Sequence, residues 1–169
     1  RLNDGMLTEE LPDTSLFDEF AAASKELAAD YEARNYSRAV RKIMALADKA
    51  NQYIDEEKPW VKAKNEDETS TVPGIATLGL NLFRTLIVYL RPIIPGVAER
   101  AEAFLGIDSL VWADAQSPLL GHRINRFEAI LERIDPKEIE AMITESSEST
   151  DSTKEDNEGL EQIDIEHFL

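Results

Sequence analysis

Between Pro73 and Leu90 the chain reads Pro-Gly-Ile-Ala-Thr-Leu-Gly-Leu-Asn-Leu-Phe-Arg-Thr-Leu-Ile-Val-Tyr-Leu, apolar on nearly every side of a helix. A helix of that kind is stable only when surrounded, by other helices or by lipid. The apolar run from Ile75 to Ile94 is interrupted by Asn81, Arg84, Arg91 and Pro92, which makes it too polar to span a bilayer. Arg84, near its middle, is costly in hydrocarbon. The run therefore predicts the central helix of a bundle, with the rest of the chain wrapped around it. Arg84 and Arg91 then need a salt bridge at the rim or a carbonyl contact.

The flanking segments supply the wrapping. Ser15 as N-cap, with Asp18 three residues on, predicts a helix to about Arg34, with Leu16, Phe20, Leu27 and Tyr31 at helical spacing. Asn35 and Ser37 reset the chain into a second helix carrying Val40, Ile43, Ala47, Ala50 and Ile54 on one side. So short a connection packs the two antiparallel. Pro59 lacks an amide hydrogen and disfavours helix at the residue before it, so the second helix should end near Glu57–Lys58. Asn65 to Thr71 reads as a polar loop. Pro92 and Pro95 end the central helix, and a further helix from about Pro95 to Leu105 stops at Gly106. Residues 107–127 lack a clear period, with Leu119–Ile124 as a short extended segment. Asp135-Pro136-Lys137-Glu138 starts a helix to about Ile143. The expectation is an all-α bundle of four to five helices over 1–143. A disordered acidic linker at 144–159 follows, then at 160–169 the apolar restart of a further unit.

The charge is uneven. The net is −16, but residues 144–169 hold nine acids against one lysine, a net of −8. Residues 34–64 hold eight cations (Arg34, Arg38, Arg41, Lys42, Lys49, Lys58, Lys62, Lys64) against four acids, a net of +4. A small positive patch in a repelling background suits one specific anionic contact better than broad duplex binding. Within it stands Trp60. A tryptophan after a helix-ending proline is commonly a core or edge-packing residue; beside clustered lysines it also suits stacking on a nucleobase. Trp112, in a neutral setting, reads as core.

Little else carries chemistry. The chain has no cysteine, which removes disulfides, thiolate zinc and a cysteine nucleophile. His122 and His167 lack metal-ligand spacing to a second ligand, and His122 reads as structural. The glycines are isolated, so no phosphate-cradling loop is present. No secretory signal opens the chain, and a cytoplasmic protein is expected.

Three stretches together show a resemblance. AVRKIMALADKANQYIDEEKPWVKAK, NLFRTLIVYLRPIIPGVAERAEAFLG and PLLGHRINRFEAILERID resemble the helical anticodon-binding domain of bacterial methionyl-tRNA synthetases, over about residues 3–143. The shared features include Ala50-Asn51-Gln52-Tyr53 with the downstream Pro59-Trp60, and Asn81–Arg84 followed by the break at Leu90–Pro92. The resemblance implies that Trp60 stacks on the first anticodon base and that Pro59 shapes its approach. Arg38, Lys42, Lys62, Lys64 and Arg1 are candidates for the RNA backbone.

The family's other anticodon readers, an Asn-x-x-x-Arg pair, would precede Arg1, as would the catalytic domain. The chain thus reads as a middle piece without catalytic residues, metal or cofactor of its own. For the parent, the resemblance implies ATP with magnesium, zinc in the catalytic domain, a methionine tRNA as partner, and dimerisation through a C-terminal domain. The contrasting reading of the residues alone is a helical protein-interaction module with an acidic surface and no RNA specificity.

Overall fold

The computed structural model describes residues 2–131. Arg1, the helix expected from Asp135, the acidic linker and the segment 160–169 lie outside the described residues. Within them the order is a 3-10 turn at Leu2–Gly5, α1 (Ser15–Ala22), α2 (Ser24–Glu32), α3 (Tyr36–Glu57), α4 (Pro59–Lys62), a 3-10 turn at Thr69–Thr71, α5 (Val72–Leu90), α6 (Pro95–Leu105) and a 3-10 turn at Trp112–Gln116. The bundle is all-α, as the apolar periodicity predicts.

Helix α5 is the centre. By length and composition alone Thr69–Leu90 would pass for a membrane span, yet more than half of it is buried inside the bundle. Leu78, Leu82, Thr85 and Tyr89 have no more than 1% of their surface exposed. They pack against Phe17, Phe20 and Leu27 from the first two helices and Ile43 from α3. Apolar burial of this kind is the dominant favourable term in folding.

The polar residues that interrupt the apolar run are the points where α5 holds non-helical chain. Thr77 Oγ1 accepts the Thr8 amide at 3.0 Å. Asn81 donates to the Leu119 carbonyl at 3.0 Å and accepts the Leu119 amide at 2.6 Å. Arg84, almost wholly buried, donates to the carbonyls of Asp114 and Ser117 at 2.8 and 3.0 Å and pairs with the Asp114 carboxylate at 3.1 Å. Arg91 bonds Glu102 at 3.1 Å and the Ser109 hydroxyl. The carbonyl contact expected for Arg84 is thus present, together with a salt bridge to Asp114 that lies inside rather than at the rim. Burial alone pushes the Arg84 pKa down, and the Asp114 carboxylate opposes that shift.

Two expectations need correction. The helix predicted from Ser15 to Arg34 breaks at Ala22–Ser24, because groups from distant chain take the carbonyls its ladder would use. The Tyr89 hydroxyl donates to Phe20 O at 2.7 Å, and the Gln116 amide donates to Ala21 O at 3.1 Å and Ser24 Oγ at 2.9 Å. Side chains inserted into a helical ladder are a known cause of kinks. Its cap also differs: the helix begins at Ser15, but Thr14 rather than Ser15 occupies the cap position, and the Asp13 carboxylate accepts the Ser15 amide at 2.9 Å.

The extended segment Leu119–Ile124 is present, and its backbone pairs with the lead-in residues Gly5–Thr8. Leu7 N–H donates to His122 O, Gly121 N–H to Thr8 O and Ile124 N–H to Gly5 O, all within 2.8–2.9 Å. His122 is structural in this arrangement, with Nε2 at 2.8 Å from Leu105 O.

Candidate nucleic-acid interface

The candidate interface is built at the hinge between α3 and α4. Helix α3 ends because Lys58 turns into the left-handed region, at φ 45° and ψ 57°. That conformation is costly for a residue with a Cβ and is disfavoured again by the proline that follows. The Lys58 amide still closes the last turn of α3 on Ile54 O at 3.0 Å, while its carbonyl starts the next turn by accepting the amides of Val61 and Lys62. Pro59 takes the first helical position, where its missing N–H goes unused and its fixed φ suits a helix.

This hinge turns Trp60 outward. Its side is 52% exposed, as is that of Val61 next to it. The core reading of Trp60 predicts a buried ring, and half-exposure weighs against that reading while remaining compatible with edge packing. The Lys62 ammonium pairs with the Glu57 carboxylate, which ties the α4 turn back to the end of α3. Below lies Tyr53, half-buried, its phenol pushed up to about 12 by burial and then by the carboxylates of Glu57 and Asp13. Lys58 and Lys64 are exposed, and among the described residues neither ammonium has an acidic partner.

The other two candidate cations are elsewhere. Arg38 and Lys42 lie nineteen and fifteen residues before the end of α3, so at 1.5 Å per residue they are about 28 and 22 Å from the hinge. Both converge on Asp30 of α2, which is fully buried; Lys42 Nζ is 2.9 Å from Asp30 Oδ2 and also pairs with Glu26. The Arg38 guanidinium first, then the Lys42 ammonium, hold the Asp30 carboxyl below the usual carboxylate range. The structure therefore brings Pro59, Trp60, Lys62 and Lys64 together and leaves Arg38 and Lys42 at the other end, engaged in holding α2 to α3. A signal for this was in the sequence: Glu26 and Asp30 are spaced i, i+4, as are Arg38 and Lys42, on two helices joined by a tight turn. Lys58, named only as part of the positive stretch, joins the site.

The geometry defines a helical module that offers one half-exposed aromatic and free ammonium groups at one end of a long helix. A family model described as the anticodon binding domain of methionyl tRNA ligase matches residues 4–148. Among solved structures, the apo (free-state) methionyl-tRNA synthetase of Mycobacterium tuberculosis superposes with a TM-score of 0.69 at 18% identity, covering 80% of this chain and 29% of that one. At that identity the superposition speaks for the fold. The chain belongs to the family of methionyl tRNA ligase anticodon-binding domains, and it spans under a third of the length of the synthetase it matches.

Proposed function

We propose that this chain is the tRNA-reading part of a methionine–tRNA ligase and that Trp60 supplies the stacking platform for the first base of the anticodon. The observation that supports this most is the half-exposed indole at the Lys58–Pro59 hinge, beside the Lys58 and Lys64 ammonium groups, which have no acidic partner among the described residues. An unstacked loop base has an apolar face and an adjacent phosphate. The indole covers the face, while Lys58 and Lys64 meet phosphate charge on either side of the turn. Lys62, paired with Glu57, keeps the turn in place and contributes less net charge. The rest of the parent would activate methionine with ATP and charge the tRNA in the cytoplasm, with zinc in its catalytic domain and a dimer formed outside this chain.

Titration of the chain with methionine-anticodon stem-loops, matched and mismatched at the first base, tests the reading. Stacking on an aromatic is worth about 1–3 kcal/mol per base. Trp60→Ala should therefore weaken the matched stem-loop by about 5- to 150-fold and leave the far-UV CD spectrum unchanged. A variant that unfolds, or one that binds as tightly as the parent chain, rejects the stacking role.

A further inference from the structure

At the end of the bundle away from Trp60 the structure leaves an apolar groove open. It runs between the α2–α3 turn and the chain after α5, with a volume of ≈ 990 Å³. Tyr31, Val40 and Trp112 form its floor, and Tyr36 and Ile93 its walls. Tyr36 is 53% exposed and Ile93 41%, so among the described residues large apolar surface is left open here. Contiguous apolar surface rimmed by polar groups marks docking sites on soluble proteins. Tyr31 and Trp112 are fixed: their rings meet edge-on at 5.9 Å, and the Tyr31 hydroxyl donates to Tyr89 O at 2.6 Å.

The rim carries the second clue. Arg41 lines the groove, and with Arg34 and Arg38 it also lines an adjoining hollow of ≈ 390 Å³. Arg38 is taken by Asp30. Among the described residues Arg34 and Arg41 have no acidic partner, although the protein carries a net charge of −16. Among the described residues Glu32 is the one acid lining the groove. Free guanidinium groups beside an apolar floor complement a ligand that is apolar on one side and anionic on the other.

We propose that this groove docks an acidic amphipathic peptide segment of a partner protein, inserting a large apolar side chain between Tyr36 and Ile93 and setting its carboxylates on Arg34 and Arg41. A bare RNA strand fits less well, because its phosphates would need cations where the groove has a hydrocarbon floor. The site lies about 30 Å along α3 from Trp60, judged by the length of a 22-residue helix. A bound peptide therefore leaves the anticodon face free.

The test uses the full chain and a fluorescein-labelled synthetic peptide that places Glu on one helical face and Leu and Phe on the other. Saturable binding is expected, weakened tenfold or more by Tyr36→Ser and by the double change Arg34→Glu, Arg41→Glu. These residues are exposed, so each variant should keep the parent CD spectrum and melting profile. Trp60→Ala should leave peptide binding unchanged, which separates this site from the stacking role. Absence of saturable binding overturns the proposal, as does equal binding of a peptide with Lys in place of Glu. Loss of stem-loop binding in the Tyr36 and Arg variants would make the groove an RNA surface and reject the peptide. Self-association of the chain that the same variants abolish would assign the groove to a second copy and also reject it.

Discussion

Replacing Arg84 by Met keeps the length and apolar stem of the side chain and removes the guanidinium that holds the strap at residues 112–117. Two carbonyls, those of Asp114 and Ser117, lose their donors in a part-buried setting. The Asp114 carboxylate still accepts the Val111 amide at 2.7 Å and is one-third exposed, so it remains satisfied. Orphaned acceptors cost about 1–3 kcal/mol each. The relief of no longer burying a cation offsets part of that, since apolar replacements of whole buried ion pairs are often neutral. The carbonyls decide the sign, because methionine offers them no hydrogen.

The expected net loss is about 3–4 kcal/mol. For a folded body of about 130 residues, unfolding entropy of about 2.1 cal/mol/K per residue converts each kcal/mol into about 4 °C, so the midpoint should fall by about 12–16 °C. Urea titration followed by far-UV CD measures it. In a Trp60→Phe background Trp112 is the sole tryptophan, and its emission should shift red before the global transition if the strap releases first. A loss under about 1 kcal/mol would show that water satisfies the two carbonyls and that the Gln116 bonds to Ala21 and Ser24 hold the strap without Arg84, refuting the reasoning.

Three further outcomes are expected. Asp30→Asn should destabilise the bundle at neutral pH and lose its effect in acid: the native Asp30 pKa is depressed, so its contribution is present above the unfolded value of about 3.9 and disappears as pH falls through the lower native one. Urea midpoints measured from pH 7 to pH 3 should converge for the two proteins. The salt dependence of stem-loop binding should be shallow, with a log–log slope of about −1.4 for two ammonium–phosphate contacts on a single strand; a slope beyond about −3 would bring Arg38 and Lys42 back as contacts. Lys58→Gly should leave stability unchanged or raise it by up to about 1 kcal/mol, since relief of the left-handed Cβ strain outweighs the entropy that glycine adds to the unfolded chain. A clear loss in thermal melts would refute that balance.

Helix ends set by local chemistry were legible in the sequence: Pro59 after α3, Pro92 and Pro95 after α5, and Gly106, at φ 68°, after α6. The α1–α2 break was not, because it depends on Tyr89 and Gln116, and Gln116 is 95 residues from the carbonyl it takes. The same limit applied to the positive patch. A local sum of charge cannot say which cations face acids across a turn, and Arg38 and Lys42 do. The exposure of Trp60 was legible from its neighbours in sequence, since the hinge that turns it outward is made by the two residues before it.

The hinge has a thermodynamic consequence for recognition. Fixing a backbone residue costs about 1–2 kcal/mol of conformational entropy, and immobilising a rotamer-rich side chain on binding about 0.5–1.5 kcal/mol more. Lys58, closed on Ile54, and Pro59, with its ring-locked φ, leave the short arm that carries Trp60 little backbone freedom to lose. The ordering cost is met when the bundle folds, at a time when no RNA is present. If Trp60 stacks a base as proposed, that base meets a surface already held in place, and less of the stacking energy is spent on ordering the arm.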